Sequence, residues 1–452
     1  MLKKTEVCPF KTNTLSNDLR WRKLSLISLA LLMMPMLTHA DGPPDWNTLS
    51  VVESKSKMTA DEAVMYAFQR SPEISKALSQ INKGKAQVDE VKSAYFPQVG
   101  MSASYGRAGE ATLGPKLTQL LYDFGKTSNS VDSQQNLTDS YRKELLKNMT
   151  SVAANTLLSY SSVKRYSGLI KVAEDSIDSL GQVRDMAKLR VDAGLNPQSD
   201  ILQAETRIAL LKTTLQQYRT QLNTAQANLA TLTGQNATDL AELPDNLRQI
   251  TLKPDAINYS EIASMQSALA KQKAAEASVA QQKAQHLPDI SVEAARLRQF
   301  DNNDAYWNNQ FALSVSVPIY QGGAVSARVN QAEQDVLAAR SDVNQVKLTV
   351  DQQASAAFAN WSGASAREQL SVRQIEIADR TRSLYRDEYK LSQRSLNDLL
   401  SVEQDVYQAN SGNVLAHFDV QDAAINYAVA IDNLLPLLGV DKTAEKELPS
   451  IQ

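Results

Sequence analysis

The segments "LYDFGKTSNSV" (Leu121–Val131) and "IYQGGAVSARV" (Ile319–Val329) each place a tyrosine three residues before a glycine, then run into a polar, helix-compatible pattern. Their surroundings repeat as well. "VDEVKSAYFPQVGMSASYGR" (Val88–Arg107) aligns without gaps on "VAQQKAQHLPDISVEAARLR" (Val279–Arg298) at an offset of 191, matching Pro97 to Pro288 and Val99 to Ile290. The offset is 198 at Tyr122/Tyr320 and Gly125/Gly323, and still 198 at "SDILQAE" (Ser199–Glu205) against "NDLLSVE" (Asn397–Glu403). The chain is therefore two copies of one unit, with about seven extra residues in the second copy before its Tyr-x-x-Gly.

The residues before each Tyr-x-x-Gly alternate in polarity. Val99, Met101, Ala103 and Tyr105 do so in the first copy; Ile290, Val292 and Ala294, then Phe311, Leu313, Val315, Val317 and Ile319, do so in the second. Period two marks strands with one apolar face, expected near 98–108, 115–122, 289–299 and 309–320. "RQFDNNDAYWN" between the last two reads as a longer hairpin loop holding the extra residues, and it lacks the Gly and terminal Glu of a calcium loop.

The residues after each Tyr-x-x-Gly are helical. Val325, Val329, Ala332, Val336, Ala339, Val343, Val346 and Val350 recur at alternating steps of four and three, a heptad seam; Val131, Tyr141, Leu145 and Val152 give a more mixed seam in the first copy. The run from Gly125 to Asn196, and its equivalent from Gly323 to Ser392, each predict a helix of about 70 residues, roughly 105 Å long. The shorter helices, 59–95 with 199–234 and 259–286 with 396–438, sum to nearly the same length, so pairs stacked end to end match one long helix. An antiparallel coiled-coil layer follows, with strand hairpins at one end and tight turns near 194–199 and 392–397 at the other. On this reading the first repeat is 58–236, an inter-repeat linker 237–258, the second repeat 259–439 and a tail 440–452.

Few Gly (16) and Pro (14) for 452 residues agree with long helices. Arg20, Arg22 and Lys23 precede an apolar run from Leu24 to Leu37, and Thr38-His39-Ala40 fits a signal-peptidase site, so residues 1–40 read as an export signal followed by a linker over 41–57. About 14 apolar residues interrupted by Pro35 are too few for a membrane anchor. Removing the segment shifts the formal charge from −3 to −7 and takes away Cys8, the only cysteine, which excludes disulfides, a thiolate nucleophile and lipid attachment at the new terminus. The mild acidity does not suggest nucleic acid. No later stretch is long and apolar enough for a spanning helix, so any membrane crossing must use strands. Four amphipathic strands cannot close a barrel, and open sheet edges are not tolerated in lipid; three chains would supply twelve strands.

The export signal, the duplicated strand-hairpin and long-helix unit, "LYDFGK", "PIYQGG", "AGLNPQSDILQAE" and "LSQRSLNDLLSVEQ", in this order and spacing over residues 58–440, resemble the TolC-like outer-membrane efflux family. The resemblance implies a mainly α fold with a transmembrane β-barrel contribution: a homotrimer with a twelve-stranded barrel in outer-membrane lipid and a helical tunnel in the periplasm. It also implies a periplasmic adaptor and an inner-membrane transporter, ABC-type or proton-driven, as partners in type I secretion or efflux. Asp200 would be a gate aspartate, with Tyr389 and Arg394 as its partners. A second constriction matches Asp398, but its second position is Ser401 rather than aspartate, which halves the ring charge, although Glu403 and Asp405 lie close by. The turns at Gly194, Asn196, Pro197, Ser392 and Leu396 would be adaptor-docking surfaces. Tyr122, Gly125, Tyr320 and Gly323 would mark strand–helix junctions, with glycine for the turn and tyrosine for the membrane interface.

An enzyme is the first competing class. Without cysteine, a phosphate-binding glycine loop or a His-Glu metal motif, and with only His286 and His417 beyond the export signal, no catalysis, cofactor or metal is expected. A soluble exported coiled-coil adaptor or structural protein is the stronger rival, since heptads alone would fit it. The two matched strand pairs weigh against it.

Overall fold

The computed structural model describes residues 57–106, 111–236, 239–244, 247–248, 257–300 and 304–440. The expected export signal, most of the 41–57 linker, parts of 237–258 and the tail from 441 lie outside them. Among the described residues, no helix is long and apolar enough to cross a membrane.

Among the described residues, eight α-helices and four strands follow the duplicated order. In the first copy these are α1 (Ala60–Arg70), α2 (Pro72–Lys92), β1 (Gln98–Tyr105), β2 (Ala111–Tyr122), α3 (Lys126–Asp192) and α4 (Ser199–Thr233). In the second they are α5 (Ala263–Ala284), β3 (Asp289–Phe300), β4 (Ala305–Ser316), α6 (Ala324–Lys390), α7 (Leu396–Ala430) and the short α8 (Leu434–Leu437). The long helices α3 and α6 have 67 residues each, and α4 and α7 have 35 each. At 1.5 Å per residue, α3 and α6 are each about 100 Å long.

The expected single helix over 59–95 is two. Pro72 opens α2 at its first turn, and Ser71 before it is extended (φ −67°, ψ 119°) because the proline ring disfavours helical backbone in its predecessor. Thr59 starts α1 with a capping box to Glu62. The seven extra residues are not in the second hairpin loop. β3 has twelve residues where β1 has eight, β4 ends four residues before Tyr320 whereas β2 runs through Tyr122, and the connection 301–304 is one residue shorter than 106–110. Asparagine and aspartate suggested a longer loop, but Arg298 pairs with Trp307, Gln299 with Tyr306 and Phe300 with Ala305, so strand covers both flanks of 301–304.

Helix α3 packs on α2 and α4 on one side and on α5 and α7 on the other; α6 packs on α5 and α7. The helices thus form one layer in which stacked pairs alternate with long helices. Ala173, Ala187 and Ala204 are fully buried where α3 meets its neighbours, and such small side chains permit close interhelical approach, about 8 Å. The predicted seam is observed on α6: Val325, Ala332, Val336 and Val350 are buried, and Val343 and Val346 pack with Ile262 and Met265 of the α5 region. The stack of α7 on α5 is pinned by Asp432. Its buried carboxylate accepts from the Ala263 backbone N–H at the start of α5 (2.8 Å) and from the Thr150 hydroxyl (3.1 Å).

The sheet is antiparallel in the order β1-β2-β3-β4. Its register sorts most of its side chains by polarity. One face carries Val99, Met101, Leu113, Leu117, Ile290, Val292, Ala294, Phe311, Leu313 and Val315; the other carries Ser102, Ser104, Thr112, Lys116, Thr118, Glu293, Gln310 and Ser314. On the polar face Lys116 and Glu293 form an ion pair (2.9 Å), and Ser104 and Thr112 share a hydrogen bond (2.7 Å).

Candidate functional site

The strand–helix junctions are built as paired left-handed turns. Gly125 (φ 97°) and Gly323 (φ 81°) occupy the N-cap positions of α3 and α6, preceded by Phe124 (φ 54°) and Gly322 (φ 62°). Glycine takes this region at no steric cost, whereas an L side chain strains it. Buried Asp123 accepts from the backbone N–H groups of Gly125 (3.1 Å) and Thr127 (2.6 Å), satisfying free donors at the start of α3. Lys126 ties this junction to Asp289 at the start of β3 (2.6 Å). Tyr122 and Tyr320 are both exposed, Tyr320 at 85 %.

At the opposite end the α3–α4 and α6–α7 turns close by the same hydrogen bonds. Leu195 N–H donates to Arg190 C=O (2.8 Å) and Gln393 N–H to Glu388 C=O (2.9 Å), with Gly194 (φ 72°) and Ser392 (φ 61°) in left-handed backbone. Ser392 is where the second copy does without a glycine. Gly194, Pro197 and Ser392 are exposed and Asn196 is half-buried. Leu396, expected in an adaptor-docking turn, is instead 3 % exposed and packs with Leu399 and Tyr389, because the first turn of α7 points it into the helix layer. The exposed apolar groups of the two turns are Leu195 and Leu391.

The three expected gate residues lie at this end but do not bond one another within the chain. Asp200 accepts from the Asn196 amide (2.6 Å). Arg394 pairs with Glu388 (2.9 Å) and stacks on Tyr385 at 4.4 Å from the ring centroid, all within its own hairpin. Tyr389 is 1 % exposed, and its hydroxyl has no hydrogen-bond partner among the described residues. Burial raises its pKa above the ordinary tyrosine value; the Arg190 charge opposes this and the Asp200 charge adds to it.

The residue that joins the two turns is Arg190, which sequence reasoning did not single out. From the last turn of α3 its guanidinium donates to Asn196 Oδ1 (2.9 Å), the Tyr389 carbonyl (2.9 Å) and Ser392 Oγ (2.8 Å), and it lies 5.0 Å from the Tyr389 ring centroid. Its only sequence signal was a basic side chain four residues before Gly194, common at helix C-termini. A second tie lies further along the layer. Buried Glu403 of α7 binds Arg386 of α6 (2.7 Å) and accepts from Ser179 of α3 (2.8 Å), so its carboxylate is used within the helix layer. Asp398 closes a capping box with Ser395 at the start of α7 (Oγ to Oδ2 2.9 Å), while Ser401 and Asp405 are exposed. Among the described residues no cluster of His, Cys, Asp or Glu could hold a metal ion.

Comparisons with known proteins bear on the fold and the family. The family model for outer membrane efflux proteins matches residues 64–235 and again 260–431, one match per copy. Outer membrane efflux protein BepC of Brucella suis biovar 1 (strain 1330) is 24 % identical over 383 residues, covering 80 % of this chain and 82 % of that protein. Outer membrane protein TolC of Escherichia coli (strain K12) is 22 % identical over 425 residues, covering 85 % and 83 %. Among solved structures, the outer-membrane channel OprN superposes with a TM-score of 0.70 at 19 % identity, covering 83 % of this chain and 90 % of that one. The outer membrane protein VceC from Vibrio cholerae also gives 0.70 at 16 % identity, covering 84 % and 96 %. With both copies matched by one family model and the helix layer and sheet matched by its channels, the chain belongs to the outer membrane efflux protein family.

Proposed function

We propose that three copies of this chain close one twelve-stranded barrel in the outer membrane and one helical duct beneath it, through which an inner-membrane transporter and a periplasmic adaptor export substrates. The observation that carries this is the sheet. It has an apolar face, a polar face and two edges, β1 and β4, that no described strand covers. Lipid requires every such edge to be paired, and β4 of one copy against β1 of the next meets that requirement. The helix layer has matching free edges, with exposed Leu348, Leu370, Ile377 and Leu384 on α6 and exposed Leu202 and Leu210 on α4. A soluble adaptor would have no use for a sheet with an apolar outer face.

At the turn end, the reading assigns Arg190 the role of holding the two hairpins of each protomer together in the closed state. Asp200 and Tyr389 act through it: Asp200 orients Asn196, and Tyr389 supplies the carbonyl and ring that Arg190 grips. Arg394 keeps the second hairpin rigid through Glu388. Asp398 contributes one carboxylate per chain to a ring that Ser401 leaves weakly charged. The adaptor seats on Gly194, Pro197 and Ser392 with Leu195 and Leu391. Bonds of this kind suit a gate, because hydrogen bonds from a charged group near water break at modest cost when a partner docks.

The test is to express the full chain, fractionate membranes, and reconstitute the protein in planar bilayers. Heat-modifiable trimers that need detergent and conduct ions are the expected result. A protein that stays soluble without detergent and never forms trimers overturns the reading. Comparing secreted proteins with drug sensitivity in a deletion strain decides the cargo.

A further inference from the structure

The apolar face of the sheet carries two arginines. The register places Arg296 beside Asn309 and Arg298 beside Trp307, on the same face as Val292, Ala294, Phe311 and Leu313. Both guanidiniums lie over one indole, at 5.0 Å for Arg296 and 5.5 Å for Arg298 from the Trp307 ring centroid. Neither has a carboxylate partner among the described residues, and Glu293 faces the other side with Lys116. On a lipid-facing surface, two cations with no such partner among the described residues favour an anion supplied by the lipid.

Their depth tells which anion is in reach. Below them Phe311, Leu313, Val315, Val317 and Ile319 alternate as exposed apolar residues, with Ile319 at 94 %. Fully extended, Phe311 to Ile319 measures about 26 Å, or about 20 Å across the membrane at a strand tilt of about 40°. That is close to the apolar band of such barrels, about 25 Å. Exposed Tyr320 follows at the helix-side end of the band and Trp307, 51 % exposed, stands at the hairpin end, the two positions that interface aromatics occupy. Arg296 and Arg298 therefore sit at the headgroup level of the outer leaflet rather than at the bilayer midplane.

The pair also selects among headgroups. Guanidinium forks bind phosphate oxygens bidentately, and residues two apart on a strand stand about 7 Å apart along it. A phosphodiester carries one negative charge, whereas a phosphate monoester carries about −1.5 to −2 at neutral pH and balances two arginines. We propose that Arg296 and Arg298, braced on Trp307, bind a glycolipid bearing a phosphate monoester in the outer leaflet, one per protomer. This rests on the barrel reading above.

Native mass spectrometry of the full-length detergent-solubilised trimer tests it, with titration of bisphosphorylated lipid A, fully dephosphorylated lipid A and phosphatidylglycerol. The wild-type trimer is expected to retain up to three bisphosphorylated molecules, at least tenfold more tightly than either other lipid. The double variant Arg296→Gln/Arg298→Gln should lose at least tenfold in that affinity while its conductance stays at the wild-type value. Equal retention of the three lipids by the wild type, or unchanged lipid A affinity in the double variant, overturns the proposal. If the double variant does not assemble, the wild-type preference decides alone. A wild-type chain that forms no conducting trimer is a failure of the barrel reading and is seen separately.

Discussion

Replacing Arg190 with Gln should open the duct. The side chain makes three hydrogen bonds at 2.8–2.9 Å, to Asn196, Tyr389 and Ser392, and one ring contact at 5.0 Å to Tyr389. Two of these hydrogen bonds and the ring contact cross between the α3–α4 and α6–α7 turns. A net bond is worth about 1 kcal/mol and an exposed cation–π contact about 0.5–1 kcal/mol. Exposure of the turn to solvent discounts the sum to about 2–3 kcal/mol per protomer. If closure depends on the two turns staying together, that loss moves the closed-to-open ratio of each protomer roughly 30- to 150-fold. Single-channel conductance of the reconstituted trimer is the assay, with trimer melting temperature as the control. Arg190→Lys keeps the charge but not the planar fork, so it should fall between wild type and Arg190→Gln. Wild-type conductance in a trimer that merely melts earlier would show that Arg190 staples the fold and does not gate.

Gly194→Ala should destabilise the first turn by about 1 kcal/mol because φ is 72° there, while Ser392→Gly should change stability by only a few tenths, relief of left-handed strain being offset by chain entropy and the lost Arg190 contact; thermal melts compare them. Glu403→Ala removes the buried acceptor shared by Arg386 and Ser179, which keep their bond to each other, and with Arg386 24 % exposed it should cost about 1–3 kcal/mol, read as a lower trimer dissociation temperature, with conductance of the surviving trimer little changed. Asp123→Ala removes the acceptor for two backbone N–H groups and should cost about 0.5–2 kcal/mol in the same melt. Asp422 has its carboxyl pKa raised above the usual aspartate value, chiefly by burial, against the lowering effect of its bonds to Ser161 and Arg165. A raised folded-state pKa contributes stability that is full below the unfolded value and lost as pH rises through the folded one, so wild type should gain relative to Asp422→Asn as pH falls from neutral into that window. Parallel melting curves for the two proteins across this range would contradict the assignment.

The repeat made the architecture legible because it appears in residues that backbone geometry constrains. Gly125 and Gly323 hold left-handed caps, and the valine seam of α6 faces one neighbour, so both could be read without coordinates. The Asn- and Asp-rich stretch after Arg298 misled because local turn preference competes with cross-strand pairing, and pairing is not written in any one strand. The break between α1 and α2 is written in Pro72, whose ring disfavours helical backbone at Ser71. Asp200, Tyr389 and Arg394, picked out by resemblance, lie near the α3–α4 and α6–α7 turns. Their partners depend on which helix faces which, and that is long-range information. Arg190 escaped notice for the same reason: nothing near it in sequence distinguishes it from a basic residue at any helix end, and its partners on the second hairpin lie about two hundred residues away.

The equal lengths of α3 and α6, and of α4 and α7, make the reach of the duct a quantised dimension. Deleting one residue from α3 alone would lift everything beyond it by about 1.5 Å and rotate it by about 100°, taking Arg190 away from Tyr389 and Ser392. Only whole heptads removed from both long helices and from both of their stacked partners would return each seam to its own neighbour. The span to the inner-membrane partner can therefore be shortened or lengthened only in steps of about 10 Å, taken simultaneously in both copies.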